Sequence, residues 1–436
     1  MKFQAPKGTR DFYPAEMAWR RWLEGKWRAV SIRNGFEEVE GPIFETLELY
    51  TAKSGDEIVN QLFQVTREGS DKIHAIRPEF TPTLARMVAE KANALPKPIK
   101  WFSIPNLCRG EQPQRGRLRE FLQWNIDMMG IAEPIADAEC IFTTVDLLSE
   151  LGLAPNMVKV KISHRDVVRR ILSRLGVADD HMVATFELLD RREKLPDDVF
   201  RERANAIGLD GTALERLDQV ALVRYPTSEP WDQIKARIPL PESDLEDLAD
   251  LHDKLRAFGI DDWCEYDLGI VRGLAYYTGT VFEIHEITGA ERAMAGGGRY
   301  DQLIESVGGP PTPAVGMGMG DVVLSLVLQD KGLLPHDVMP QLDAFVIAAA
   351  EAAQSRVPDL VATLRAAGLH ARFSYRSTTN VGKLLKEAAQ HHARAAVILD
   401  DNTLSADTVA VKDLATGEQT DVPSAELTSA LLHSRR

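Results

Sequence analysis

Cysteine is scarce in this chain: there are 3 in 436 residues, Cys108, Cys140 and Cys264, with no Cys-x-x-Cys pair and no Cys/His zinc spacing. That usage fits a reducing compartment and argues against a disulfide scaffold or a structural zinc. Long apolar runs are missing too. No window of about eighteen apolar residues occurs, and the opening Met-Lys-Phe-Gln-Ala-Pro-Lys-Gly-Thr-Arg lacks the apolar core of a signal peptide, so the expectation is a cytoplasmic protein with no membrane role. Positive charge is not in surplus, because the formal net charge is -14. A generally basic nucleic-acid coat is thereby excluded, although a local patch can still bind phosphates. The dinucleotide-binding G-x-G-x-x-G spacing fails, and no nucleophile beside a base is visible. What is present, 44% apolar and 27% charged residues, suits a soluble globular chain long enough for two or three domains.

The most informative stretch runs from Asn106 to Asp127. It reads as two strands joined by an arginine-rich loop. Leu107, Arg109 and Glu111 alternate on the first strand, and on the second Glu120, Leu122, Trp124 and Ile126 oppose Phe121, Gln123, Asn125 and Asp127. A face carrying Gln, Asn and Asp is not core. Arg115, Arg117 and Arg119 crowd a loop turned by Pro113 and Gly116, which suits phosphate oxygens. A solvated hairpin tip is the other reading of such a charge run.

Around it, Ala15 to Asn34 has helical spacing with Trp19, Trp22, Leu23, Trp27 and Val30 on one face, and Gly35 ends it before a strand-like run from Phe36 to Glu45. The tryptophan face is either a subunit interface or internal packing. Asn60 to Arg67 reads as a strand, and Arg77 to Thr83 as a turn opening a helix. There Glu79 and Thr81 could hold an ammonium group and a carboxylate, or Thr81 could simply cap the helix. Helix is expected from Pro134 to Leu151 and strand from Val158 to Ile162, followed at about 165–255 by a charged helical module without a legible motif. Leu268 to Ile284 returns to strand and contains Arg272, Tyr276 and Tyr277. Gly316, Gly318 and Gly320 fall on one strand face, left bare either for a flat ligand or for a packed helix. After a linker at 331–340, alternating strands and helices over 341–436 predict a small, largely parallel sheet covered on both sides, with Arg376, Lys383 and Lys386 as phosphate contacts or solvated charges.

Taken together, these stretches resemble the histidyl-tRNA synthetase family of class II aminoacyl-tRNA synthetases along essentially the whole chain. Gly35-Phe36-x-x-Val39-x-x-Pro42-x-x-Glu45 resembles class motif 1 and Arg109-x-Glu111 motif 2, while Arg272-Gly-Leu-Ala-Tyr-Tyr277 and Gly297-Gly298-Arg299-Tyr300-Asp301 resemble the histidine-specific segments. The resemblance implies an α+β catalytic domain over residues 1–330, an antiparallel sheet flanked by helices with the helical insertion inside it, and a C-terminal α/β anticodon-binding domain. It implies ATP-dependent activation of L-histidine with release of pyrophosphate, transfer to tRNA(His), and a homodimer. Magnesium would bridge the ATP phosphates with few direct protein ligands.

By the same resemblance Arg109 and Arg272 are the catalytic cations on the α-phosphate. Glu79, Thr81 and Gln123 take the backbone groups of histidine, Asp127 and Tyr277 its two ring nitrogens, and Tyr276 and Tyr300 line the pocket. Glu111 and Phe121 meet adenine, Gly318 and Gly320 floor the ATP site, and Arg115, Arg117 and Arg119 approach the tRNA acceptor end. One departure stands out. Motif 3 ordinarily ends Gly-x-Glu-Arg, whereas this chain has Gly320-Asp321-Val322-Val323. The expectation is an apolar lid from Val323 and a charge supplied by Arg292. The regulatory subunit of ATP phosphoribosyltransferase resembles the same catalytic body but lacks the C-terminal module, and is the rival reading.

Overall fold

Alternation of apolar and polar residues between Glu120 and Met129 produces the ten-residue strand at the centre of the first unit. The computed structural model describes residues 3–51, 59–192, 195–209, 211–222, 224–270, 276–335 and 337–434. It divides into two units, Met1–His336 and Asp337–Arg436. In chain order the strands of the first unit are β1 (Glu37–Glu38), β2 (Phe44–Thr46), β3 (Phe63–Thr66), β4 (Ile73–Ile76), β5 (Ile99–Ser103), β6 (Asn106–Cys108), β7 (Glu120–Met129), β8 (Val158–His164), β9 (Arg224–Pro226), β10 (Cys264–Asp267), β11 (Thr280–Glu286), β12 (Ala295–Arg299) and β13 (Ala314–Gly320). The main sheet has the order β1-β5-β7-β13-β12-β11-β8-β10-β9, with β6 paired to β7. Its central pairs are antiparallel, and β1–β5 and β10–β8 are parallel.

Both faces of β7 are covered. Leu122, Trp124 and Ile126 join Trp27 and Val30 of the Pro14–Arg33 helix and Ile141 of the Ile135–Glu150 helix in one core. Trp27 stacks on Trp124 at 6.4 Å, and Trp124 Nε1 donates to Ser31 Oγ at 2.8 Å. Trp27 is fully buried, and burying a side chain of that size stabilises by roughly 3 kcal/mol. The tryptophan-bearing helix therefore turns that face inward; of its two readings, internal packing is the one observed. The opposite face of β7 meets a second cluster, in which Ile99, Met129, Tyr276, Tyr277 and Tyr300 pack under Phe80 and Leu84 at the Thr81–Lys91 helix.

Several boundaries differ from the sequence reading. The run from Phe36 to Glu45 is not one strand but two short ones, broken where Gly41 packs against Thr83 and Pro42 has no N–H to give. The first strand of the arginine-bearing hairpin stops at Cys108, because Gly110 donates its N–H to Gln61 O instead of continuing the ladder. In the run from Leu268 to Ile284, of which residues 271–275 lie outside the described residues, the described part is strand only from Thr280 onward. Asp267 ends β10 by accepting the Gly269 N–H on its carboxylate and the Ile270 N–H on its carbonyl. Between Arg165 and Ala257 the helices share the main core, and β9 joins the edge of the main sheet, a strand too short to leave a pattern.

In the second unit β14 (Leu342–Ala348), β15 (Ala371–Phe373), β16 (Ala393–Leu399), β17 (Thr408–Asp413) and β18 (Gln419–Pro423) have the order β15-β14-β16-β17-β18. Only β15, β14 and β16 are parallel, so the sheet is mixed rather than largely parallel. The edge strand β18 is mostly exposed and lacks the apolar alternation that announces a strand. Helices Val357–Ala366 and Leu427–His433 cover one face and Val381–Gln390 the other.

Candidate active site

On β7 the side chains of Phe121, Gln123, Asn125 and Asp127 share the face away from Trp124, and β13 pairs beside them with Gly316 opposite Asp127 and Gly318 opposite Asn125. The two glycines are covered, not bare. A Cβ at Gly316 would lie 2.0 Å from Asp127 Oδ1, and one at Gly318 would lie 2.8 Å from the Gln123 amide carbon. Only Gly320 opens on free space. The expectation of a flat ligand lying on three glycines is thus corrected: missing side chains at 316 and 318 make room for Asp127 and Gln123 themselves.

Tyr300, at the end of β12, donates its hydroxyl to Asp127 Oδ1 at 2.5 Å. Asp127 is buried, and loss of water pushes its carboxyl up to about 7, with the Tyr300 hydrogen bond pulling the other way. Tyr276 donates to Glu79 Oε2 at 2.6 Å, and its hydroxyl also bonds the Thr81 side chain. Burial and the neighbouring carboxylates push both phenols up, so Tyr276 and Tyr300 stay protonated and act as donors. Tyr277 packs edge-on to Tyr276 at 5.2 Å, over Gly298 of β12. Glu79, Thr81, Gln123, Asp127, Tyr276, Tyr277 and Tyr300 therefore gather on one side of the sheet. Thr81 is not the helix cap; Phe80 occupies that position, and Thr81 begins the helix.

A cleft of about 1200 Å³ that reaches this group at Gln123 is lined by Arg109, Glu111, Phe121, Gly318, Gly320 and Val323, among others. Arg109 lies 5.2 Å over the Phe121 ring and donates Nε to Pro78 O at 2.9 Å. Arg272 lies outside the described residues. The loop arginines are engaged within the protein: Arg115 with Glu291 at 2.6 Å and Asp330 at 3.2 Å, Arg117 with Glu111, and Arg119 Nε with Glu111 O at 3.1 Å. Val323 is buried, its Cγ2 3.4 Å from where a Gly116 Cβ would stand, and Arg292 approaches the same turn. Asp321 is also buried; it pairs with Arg10 at 2.6 Å and accepts the Leu122 N–H. Among the described residues no group of three or more His, Cys, Asp or Glu could hold a metal ion. No helix there is long and apolar enough to cross a membrane.

One organising residue escaped the sequence reading. Arg77 Nε donates to Asn106 O at 2.9 Å and Nη1 to Glu40 at 2.6 Å and Gly41 O at 2.9 Å, while its backbone carbonyl accepts from Cys108. It ties β6 and the Glu40–Pro42 bend to the turn that carries Glu79. Arginine directly before a Pro-Glu turn was the signal available, but its partners lie up to 37 residues away in sequence.

A sequence model described as histidyl-tRNA synthetase matches residues 8–320, well over half of the chain. The chain belongs to the histidyl-tRNA synthetase family. A second model, described as an anticodon binding domain, matches residues 343–433. The histidine–tRNA ligase of Opitutus terrae is 40% identical over 424 residues, which cover 97% of this chain and 96% of that protein. The chloroplastic/mitochondrial histidine–tRNA ligase of Arabidopsis thaliana is 36% identical over 97% of this chain and 85% of its own. Among solved structures, histidyl-tRNA synthetase from Nostoc superposes with a TM-score of 0.81 over 100% of both chains at 24% identity, which speaks for the fold. Within this histidyl-tRNA synthetase family member the Val323 side chain, at the position where the resemblance leads one to expect arginine, is packed under the arginine-rich loop.

Proposed function

We propose that the chain is a histidine–tRNA ligase, which activates L-histidine with ATP and transfers it to tRNA(His). The observation that carries this reading is the buried Tyr300–Asp127 pair, with the buried Tyr276–Glu79 pair near it among the same packed tyrosines. A buried carboxylate bonded by one phenol can accept one imidazole N–H, and Tyr277 can meet the other nitrogen; side chains lacking both groups would leave these polar atoms unmatched. Glu79, Thr81 and Gln123 would hold the amino and carboxylate groups.

In the first step a carboxylate oxygen of histidine attacks the α-phosphorus of ATP, the bond to the β-phosphate oxygen breaks, and pyrophosphate leaves. The chain's task is to align these atoms and to balance charge that grows on the α-phosphate. Arg109 would hold that phosphate from one side and Arg272 from the other. Adenine would lie by Phe121 and Glu111 beside Gly320, capped by Val323, with Arg292 supplying charge. ATP would enter with magnesium on its phosphates. In the second step a terminal ribose hydroxyl of the tRNA displaces AMP. Arg115, Arg117 and Arg119 would exchange their present carboxylate and carbonyl partners for acceptor-end phosphates, and the Asp337–Arg436 unit would read the anticodon region.

The working protein would be a cytoplasmic homodimer. The small sheet β2-β4-β3 offers a surface for a second copy, since Phe44, Phe63 and Val65 share one face and are 49%, 37% and 38% exposed. Amino-acid-dependent ATP–pyrophosphate exchange tests the activity, with histidine against proline, glycine and threonine. Exchange with histidine alone is expected; a flat response to all four would favour a regulatory, non-catalytic relative. Arg272→Ala should lower the adenylation rate by orders of magnitude with histidine affinity nearly unchanged. Near-normal turnover in that variant would remove Arg272 from the mechanism.

A further inference from the structure

Cross-strand register divides the site face of the main sheet into three rows. Asp127 pairs with Trp101 on β5 and Gly316 on β13; two residues along, Asn125 pairs with Ser103 and Gly318; then Gln123 pairs with Gly320. The first row serves the imidazole, and the third carries Gln123 for the backbone groups of the amino acid and Gly320 toward the nucleotide. The middle row has no task in the reading above. Yet two of its atoms, Asn125 Oδ1 and Ser103 Oγ, are buried and have no hydrogen-bond partner among the described residues.

Asn125 is 3% and Ser103 1% exposed. Alternation along each strand puts both side chains on the face of Asp127, away from Trp124 and Phe102. The next position in the row, Gly318, adds no side chain, and the Gln123 amide stands over it. Burying an unmatched amide oxygen next to an unmatched hydroxyl is unfavourable, so the pair marks a place where a donor is received. The position says which donor. At a rise of about 3.4 Å per residue, Asn125 lies about 7 Å from Asp127 along β7, on the side of Gln123. With the ring edge of histidine on Asp127, the substituents of its α-carbon fall over the middle row. An amide oxygen attracts a cationic N–H donor and repels a carboxylate.

We infer that Asn125 Oδ1, with Ser103 Oγ beside it, receives the α-ammonium group of the amino acid together with Glu79. Asn125 is then a binding residue that selects for a free α-amino group. This rests on the histidine reading of the pocket, and the test separates the two.

Asn125→Ala, Asn125→Asp and Ser103→Ala in the full chain are compared by the KM for L-histidine in pyrophosphate exchange. Two competitors serve as probes: histidinol, which keeps the α-ammonium, and imidazolepropionate, which lacks it. Asn125→Ala should raise the histidine KM and the histidinol inhibition constant on the order of 10-fold, leaving imidazolepropionate inhibition and the ATP KM unchanged. Asn125→Asp, which keeps an acceptor, should restore most of the affinity, and Ser103→Ala should give a smaller rise in the same direction. Equal losses for both probes would overturn the assignment. So would an unchanged histidine KM with only a lowered melting temperature, the result expected if the amide merely holds a structural water. Should Asn125→Ala fail to fold, the other two variants carry the same comparison. A wild-type chain without histidine-dependent exchange would sink both readings, whereas wild-type exchange with indifferent Asn125 and Ser103 variants would sink this one alone.

Discussion

Adding one methyl group at Gly316 should disable histidine recognition without touching the nucleotide site. The new Cβ would stand 2.0 Å from Asp127 Oδ1, 2.8 Å from its Cγ and 3.0 Å from Ile126 O. Non-bonded contacts settle at about 3.5 Å or more, so the carboxylate must retreat by at least about 1 Å. Backbone on one side and the core on the other leave the alanine no room to yield, and the Tyr300 bond at 2.5 Å is lost first. A hydrogen bond to a charged group contributes about 1.5–3 kcal/mol, which corresponds to a rise of about 10- to 100-fold in the histidine KM. Gly320→Ala is the matched control. Nothing lies within 4 Å of a Cβ there, and the position faces the cleft, so it should raise the ATP KM and spare that for histidine. Steady-state pyrophosphate exchange, varied in each substrate in turn, reads both constants. A Gly316→Ala enzyme with a normal histidine KM would refute the claim that Asp127 is held against this strand for the ligand.

The Asp127 carboxyl, pushed up from an ordinary 3.8 to about 7, disfavours the ligand-free fold once ionised. Its contribution is therefore lost as pH rises from about 4 to 7, worth up to about 4 kcal/mol. Asp127→Asn should flatten that slope and melt above wild type at pH 8 without ligand; parallel stability curves across that range would contradict it. Arg10→Met removes the partner of the buried Asp321 and should destabilise the first unit by about 3 kcal/mol at neutral pH. Burial already raises the Asp321 carboxyl, so the loss should shrink as the pH falls and the group takes up a proton, which thermal melts at two pH values would test.

Much of this was legible in the chain because local periodicity carries it. The helix at Ile135–Glu150 and the alternation of β7 come from spacing within one segment, and so does the polar face of Gln123, Asn125 and Asp127. What spacing cannot carry is the company a side chain keeps. Tyr300 and Asp127 are 173 residues apart, Tyr276 and Glu79 197, and their meeting depends on the register of β13 between β7 and β12. For the same reason the glycines of β13 read as a bare platform, although Gly316 and Gly318 each make way for a side chain from the neighbouring strand. Short or exposed pieces such as β9 and β18 left no pattern at all, since a strand that buries little has little need of apolar alternation.

Trp124 sits between Gln123 and Asn125 on β7 with its ring turned to the far side of the sheet, stacked on Trp27. Gln123 and Asp127 hang from the same strand as that indole, so a ligand that shifts either of them would shift the indole with it. Intrinsic fluorescence accordingly offers a label-free, time-resolved signal of substrate capture, and replacing Trp27 by phenylalanine would isolate the Trp124 emission from that of its neighbour.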